Sequence, residues 1–178
     1  MTNLETERLV GEPVEERHRA AAIELFGDPR VAAWIWPGEF DGPRSEAQAD
    51  EILERFRAHW ADHGFGWWWL RERATDELVG EVGLQWTTIE GAAMVEVGWT
   101  LFPRSWGHGF ATEGARAALE FGFEGAGLES IVALTLEENH ASRRVMERLA
   151  MVFERPCIHA GFPHVLYRCE RQPPPIAV

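Results

Sequence analysis

The clearest chemical signal in this chain of 178 residues is a short loop that contains two glycines. It runs from Arg104 to Ala111 with the sequence Arg-Ser-Trp-Gly-His-Gly-Phe-Ala, between a predicted strand and a predicted helix. Gly107 and Gly109 allow the backbone to curve with its amide groups pointing inward. The N-terminus of a helix behind such a loop attracts anionic phosphate, and Arg104 would add a charge-assisted contact. The loop therefore predicts a phosphate site, although two glycines at this spacing also occur in ordinary tight turns.

Two widespread phosphate-binding motifs fit this loop poorly. The P-loop requires a lysine directly after its second glycine, and Ala115 follows Gly114 here. The dinucleotide-binding motif requires a third glycine, and position 112 is a threonine. A different class of phosphate ligand is therefore favoured.

The elements around the loop follow from hydrophobic periodicity and turn residues. A strand runs into the loop and a helix follows it, and a second strand and helix come directly afterwards. These patterns predict an α/β (α+β) domain with a mixed, mostly antiparallel sheet. The domain spans residues 1–171, and a Pro-rich tail, 172–178, follows it. The predicted strands are Leu4–Val10, Phe65–Arg73, Leu78–Trp86, Met94–Phe102, Ser130–Leu136, Val152–His159 and His164–Glu170. The predicted helices are Val14–Phe26, a turn or two over Val31–Trp36, the segment from the Ser45–Gln48 capping box to His63, Gly109–Phe123 and Asn139–Leu149.

Composition limits the function classes. The chain is 46% hydrophobic and 26% charged, which is typical of one folded domain, and its net charge is −12. An acidic chain is a poor ligand for nucleic acid or anionic membranes, and its field favours a cationic substrate. The sequence shows neither an apolar leader, nor a membrane span, nor zinc-ligand spacing, so we expect a cytoplasmic protein without a metal.

Several segments, taken together and in order, resemble the GNAT superfamily of N-acetyltransferases. The loop matches the R/Q-x-x-G-x-G/A pattern of that family, and the strand Glu96–Leu101, the helix start Ala111–Arg116 and the helix Asn139–Leu149 match its neighbours. Three further segments resemble the branch that acetylates ribosomal-protein N-termini: Glu5–Leu9, Asp28–Val31 and His164–Tyr167. One departure is Ala150, which stands where most members have glycine.

The resemblance implies a site for acetyl-CoA between two splayed parallel strands, Met94–Leu101 and Ser130–Leu136. The backbone of Trp99, Thr100 and Leu101 would run along the pantetheine, with Asn139 hydrogen-bonded to its amides. Ser142 occupies the position proposed in this branch to protonate the departing thiolate, and the single tyrosine, Tyr167, lies on the last strand and is the weaker candidate. The pyrophosphate would lie on the loop and helix amides, with Arg104 beside it; these loop residues are Ser105, Trp106, Gly107, His108, Gly109, Phe110, Ala111 and Thr112.

An amine attacks a thioester only when it is neutral, so a base is needed. Glu96 is the carboxylate nearest to the cofactor strand and is the leading candidate, and Glu81 lies on the preceding strand. Either carboxylate would look the same in sequence if it faced solvent on a half-buried strand. His108 and His140 are weaker candidates for the base.

Nine tryptophans are many for this length. Trp67, Trp68 and Trp69 are consecutive, so on a strand they cannot share one face, and at least one should point away from the others, toward an acceptor groove or a partner. Trp34 and Trp36 are candidates to line an acceptor pocket.

The sequence thus predicts an acetyl-CoA-dependent N-acetyltransferase acting on a primary amine, either a protein N-terminal α-amino group or a small molecule. The alternative is a non-catalytic module that senses acyl-CoA. The sequence leaves both a monomer and a homodimer open.

Overall fold

One eight-stranded sheet forms the centre of the fold. The computed structural model describes residues 2–35 and 42–171, so the tail 172–178 lies outside the described residues. The strands are β1 Leu4–Glu5, β2 Leu9–Pro13, β3 Trp67–Glu72, β4 Leu78–Ile89, β5 Ala92–Leu101, β6 Ser130–Thr135, β7 Val152–His159 and β8 Phe162–Glu170. Their order in the sheet is β1-β2-β3-β4-β5-β6-β8-β7, and all neighbouring strands are antiparallel except β5 and β6.

Five α-helices accompany the sheet in the described part of the chain. They are α1 Arg19–Gly27, α2 Pro29–Ala32, α3 Glu46–His63, α4 Phe110–Glu120 and α5 His140–Arg148. The predicted capping box of α3 is present, because Ser45 Oγ accepts from the Gln48 amide and Gln48 Oε1 accepts from the Ser45 amide. The predicted mixed α/β fold is confirmed.

The N-terminal segment differs from the prediction. The strand predicted over Leu4–Val10 is two strands, because the Thr6 hydroxyl accepts from the Leu9 amide at 2.8 Å and closes a turn between them. The helix predicted from Val14 begins only at Arg19, because Val14 still pairs with the carbonyl of Trp67 at 3.0 Å. Local side-chain and sheet hydrogen bonds thus override the apolar pattern.

The three consecutive tryptophans all belong to the core, each at most 4% exposed. Trp68 points to the opposite face of the sheet from Trp67 and Trp69, as alternation along a strand requires. The Trp67 ring lies against two paired glycines, Gly83 and Gly98, where a Cβ would come within 2.3 and 2.7 Å of it. The absence of a Cβ at Gly83 and Gly98 therefore makes room for this ring.

The two parallel strands are joined at one register position, Glu96 opposite Val132. Beyond that position β5 continues to Leu101 and β6 to Thr135 without further ladder pairing. The strands therefore separate toward their carboxyl ends, which confirms the splayed strands expected from the resemblance.

The C-terminus of α5 forms a left-handed turn at the position where the sequence departs from the family. The Met151 amide donates to the Met146 carbonyl and the Ala150 amide to the Glu147 carbonyl, each at 3.0 Å. Ala150 has a φ of 58°, so it adopts the conformation that glycine usually supplies in this motif.

We therefore expect Ala150→Gly to raise the free energy of unfolding by about 0.5–1 kcal/mol, since relief of the left-handed strain exceeds the entropy that glycine adds to the unfolded chain. Ala58→Gly, at an exposed position inside α3, is the matched control and should lower stability by about 1 kcal/mol. Urea unfolding followed by tryptophan fluorescence measures both changes. A destabilised Ala150→Gly variant would contradict the strain argument.

Candidate active site

A cavity of about 730 Å³ opens where β5 and β6 separate. One part of its lining, here called the loop wall, comprises the loop and the first turns of α4 and α5. Another part, here called the tryptophan wall, consists of Val31, Trp34, Ile35, Trp67, Gln85 and Glu96. Of the residues expected from sequence, those that line the cavity are Glu96, Trp99, Thr100, Leu101, Ser105, Trp106, Gly107, Gly109, Phe110, Ala111, Thr112, Asn139 and Ser142.

The backbone of the loop has the geometry of an anion site. Gly107 and Gly109 have φ values of 81° and 82°, in the left-handed region that favours glycine. Gly109 is the N-cap of α4 and brings no side-chain oxygen to the amides of the first turn. Those amides therefore remain able to donate to a ligand, and the helix dipole favours a negative one. The Trp106 indole is held beside them by donating to the Leu101 carbonyl at 2.9 Å.

Two of the expected loop residues lie outside the cavity lining. Arg104 was expected beside the phosphates, but its guanidinium pairs with Glu24 of α1 at 2.6 Å and lies 3.9 Å from the centre of the Phe102 ring. His108 is exposed and stacks on the Phe110 ring. Both side chains are directed away from the cavity by these partners.

Sequence reasoning missed a clamp that holds the loop from outside. Glu113, in the first turn of α4, accepts hydrogen bonds from the Thr6 hydroxyl at 2.6 Å and from the amide and Nε of Arg8 at 2.8 and 2.7 Å. Arg8 Nη1 also donates to the His108 carbonyl at 3.0 Å. Burial acts against ionisation of Glu113, but the hydrogen bonds from Thr6 and Arg8 prevail and lower its pKa. The sequence identifies Glu5–Leu9 only by its resemblance to the family and does not reveal this contact.

At the start of α5, Asn139 and Ser142 are fixed by one local hydrogen bond. Asn139 is the N-cap, and its Oδ1 accepts from the Ser142 amide at 3.1 Å, which leaves its Nδ2 to donate elsewhere. Ser142 is half-buried on the cavity wall. Tyr167 is buried against Phe153 and is absent from the lining, so its placement agrees with the preference for Ser142.

Glu96 lies on the tryptophan wall, half-buried at the point where β5 and β6 separate. Gln85 Nε2 donates to Glu96 Oε2 at 3.3 Å, and Trp67 Nε1 donates to Gln85 Oε1 at 3.1 Å. Burial raises the pKa of Glu96 to about 7, while the hydrogen bond from Gln85 opposes that rise. A carboxyl that titrates near neutral pH suits a general base.

The other candidates for the base are placed differently. Glu81 is fully buried and absent from the lining, and within the described residues neither of its carboxyl oxygens has a hydrogen-bond partner. Burial raises the pKa of Glu81 well above its ordinary value, because the ionised carboxylate would lose its contact with water. His140 lines the cavity at the start of α5. Of the predicted pocket tryptophans, Trp34 lines the cavity, and Trp36 lies outside the described residues.

Two further features bear on the function class. Within residues 2–35 and 42–171, histidine, cysteine and carboxylate side chains form no group of three or more that could hold a metal ion. Among the helices in the same ranges, none has the length and apolar character needed to span a membrane.

Comparison with known proteins agrees with this architecture. Residues 8–152 match a family model described as an acetyltransferase (GNAT) domain. An uncharacterised protein of Bacillus subtilis, YkkB, is 30% identical over 86% of this chain and 87% of its own. The FsC-acetyl coenzyme A-N(2)-transacetylase of Aspergillus fumigatus is 30% identical over 80% of this chain and 62% of its own.

A solved structure of RimL, a ribosomal L7/L12 alpha-N-protein acetyltransferase in complex with coenzyme A, has the same fold. Its TM-score is 0.77 at 14% identity, over 95% of this chain and 98% of RimL, a likeness that concerns the fold alone. The match of the family model defines the class of protein, and the chain belongs to the GNAT family of acetyltransferases. It is an N-acetyltransferase of that family, whose members use acetyl-CoA.

The burial of Glu81 leads to a testable pH dependence. Because its folded-state pKa is raised, the stability that Glu81 contributes is fully present below its unfolded pKa of about 4.5 and is lost as the pH rises through the folded value. We therefore expect the difference in unfolding free energy, Glu81→Gln minus wild type, to grow as the pH rises from 4.5 to 8. Denaturant unfolding across that range measures it, with Glu51→Gln on the exposed face of α3 as the control for a lost surface charge. A difference that stays constant with pH would contradict the assignment.

Proposed function

We propose that this protein transfers an acetyl group from acetyl-CoA to a primary amine by direct attack of the amine, with Glu96 as base and Ser142 as acid. The observation that carries the proposal is that both side chains line the same cavity as the glycine loop. The family membership supports the acetyl transfer, and the arrangement of the cavity supports the roles of the two residues.

The residues present fit acetyl-CoA, which supplies the acetyl group as an activated thioester. The amides between Gly107 and Thr112 would hold the pyrophosphate, and Arg144 and Arg148 on the same cavity would add positive charge. Because β5 has no ladder partner on the β6 side after Glu96, the backbone of Trp99–Leu101 can bind the pantetheine amides. Asn139 would contribute its Nδ2.

The chemistry then assigns one proton to each side chain. Ionised Glu96 takes a proton from the ammonium group of the acceptor, so that the nitrogen lone pair can form the new C–N bond. As the C–S bond breaks, the electron pair goes to sulfur and the Ser142 hydroxyl donates its proton to the thiolate. The nitrogen of the new C–N bond still carries one surplus proton, which passes through water to the Ser142 oxygen and restores its hydroxyl. Backbone N–H groups near Trp99–Leu101 would stabilise negative charge on the carbonyl oxygen.

The acceptor is a cationic amine that enters along the tryptophan wall. A net charge of −12 attracts an ammonium group, and the exposed indole of Trp34 offers a face that would bind a cation with about 0.5–2 kcal/mol. The name of the Aspergillus relative, an FsC-acetyl coenzyme A-N(2)-transacetylase, supports acetyl transfer to nitrogen. We place the reaction in the cytoplasm, as the sequence predicts.

The alternative is a module that binds acyl-CoA without catalysis. Binding alone requires neither a carboxylate that titrates near neutral pH nor a hydroxyl on the cavity wall. The presence of both favours the enzyme.

Release of free coenzyme A from acetyl-CoA, measured with a panel of small amines and of peptides with free N-termini, tests the proposed reaction. All 17 basic residues are arginines, so the N-terminus is the only primary amine in the chain and self-acetylation contributes little background. We expect acceptor-dependent release that weakens as salt rises. Tight binding of acetyl-CoA with no release for any acceptor would favour the sensing module.

Ser142→Ala should lower kcat by about 10²–10⁴-fold, the usual worth of a general acid, with little change in the affinity for acetyl-CoA. Ser142→Thr keeps a hydroxyl and is the matched control, which should retain most of the activity. Steady-state kinetics and calorimetric binding of acetyl-CoA separate the two effects. A kcat of Ser142→Ala close to that of wild type would show that another group or water protonates the thiolate.

A further inference from the structure

The side chains of Trp67, Gln85 and Glu96 form a chain of hydrogen bonds along the tryptophan wall. The Trp67 indole nitrogen lies 3.1 Å from Gln85 Oε1, and Gln85 Nε2 lies 3.3 Å from Glu96 Oε2. Each residue comes from a different, adjacent strand, and all three line the cavity. Gln85 pairs directly with Glu96 across the β4–β5 ladder, so the backbone fixes their proximity.

The chemistry of the donors determines the direction of this chain. An indole N–H can only donate, so the Gln85 atom that faces Trp67 must be the carbonyl oxygen. The amide NH₂ group must then face Glu96, and it also can only donate. The hydrogen bond from Trp67 therefore determines which end of the Gln85 amide is oxygen and which is nitrogen.

This direction distinguishes the two oxygens of Glu96. Oε2 faces an N–H donor, so it must act as an acceptor whether the carboxyl is ionised or protonated. Because a carboxylic hydroxyl oxygen accepts more weakly than a carbonyl oxygen, this hydrogen bond favours the placement of the proton on Oε1 when Glu96 is protonated. We propose that Gln85, oriented by Trp67, is a positioning residue that makes Glu96 Oε1 the atom that takes the proton of the acceptor amine. This inference rests on the proposed role of Glu96 as base.

The same hydrogen bond stabilises the ionised form of Glu96. Burial favours the protonated carboxyl, and Gln85 opposes it by donating to the carboxylate. The other titratable side chains on the cavity lining are Glu138, His140, Arg144 and Arg148. Cys157 on β7 is also within the electrostatic influence of Glu96. Within the described residues, Gln85 is the group whose hydrogen bond lowers the pKa of Glu96.

Titration of the Glu96 carboxyl by ¹³C NMR, in the full chain labelled at glutamate, tests the inference without needing an acceptor. The Glu96 resonance is assigned by its loss in Glu96→Gln. We expect wild-type Glu96 to titrate near pH 7 and Gln85→Leu to raise that midpoint by about one pH unit, the worth of one hydrogen bond to a charged group. Trp67→Phe should shift it in the same direction by less, because the Gln85 amide is then free to turn. Thr87→Val, two residues further along the same face of β4, is the matched control and should leave it unchanged.

An unmoved midpoint in Gln85→Leu would overturn the inference, and if that variant fails to fold, the midpoint in Trp67→Phe decides by the same criterion. The base itself is tested separately, with the acceptor found by coenzyme A release. If kcat/KM of Glu96→Gln keeps the wild-type pH dependence, Glu96 is not the base, whatever the NMR titration shows. If that dependence is lost while Gln85→Leu leaves the midpoint unchanged, the proposed reaction stands and only the role of Gln85 falls.

Discussion

The separation of two parallel strands is the constraint on which the rest of this structure depends. β5 and β6 are paired at Glu96 and Val132 and diverge from there. Because parallel strands have their carboxyl ends at the same edge of a sheet, the segments that follow them begin at the same place. The N-termini of α4 and α5 therefore both lie on the cavity. The glycine loop, which can bind phosphate, leads into α4, and Asn139 and Ser142 lie at the start of α5.

The same constraint places Glu96 at the inner end of the opening. It is the residue of β5 that pairs with β6, so it lies where the two strands part, and it is half-buried there. Close to Glu96, the Trp67 ring occupies the space that the missing side chains of Gly83 on β4 and Gly98 on β5 leave free. The Arg8–Glu113 clamp acts from the other side of the loop and connects the N-terminal strands to the first turn of α4. One opening in the sheet is thus supported by contacts from distant parts of the chain.

The sequence predicted those features that depend on local pattern or on a shared motif. The capping box of α3, the glycine loop and the splayed strands belong to this class. The sequence could not predict the partner of Arg104, because Glu24 is 80 residues away and an exposed arginine can turn toward many carboxylates.

Glu81 and Glu96 illustrate the same limit. Both lie on strands with similar patterns, and the elements that cover each strand decide that one is sealed in the core while the other faces the cavity. Likewise, Thr6 ends β1 through a hydrogen bond that the apolar alternation of Leu4–Val10 does not reveal.

A crystal structure of the protein with coenzyme A tests the central claim most directly. The account predicts that the pyrophosphate oxygens lie about 2.7–3.2 Å from the backbone amides between Gly107 and Thr112. It also predicts that the pantetheine lies between β5 and β6, with the sulfur directed toward Ser142. Coenzyme A bound outside this opening, or with its pyrophosphate away from the loop, would contradict it.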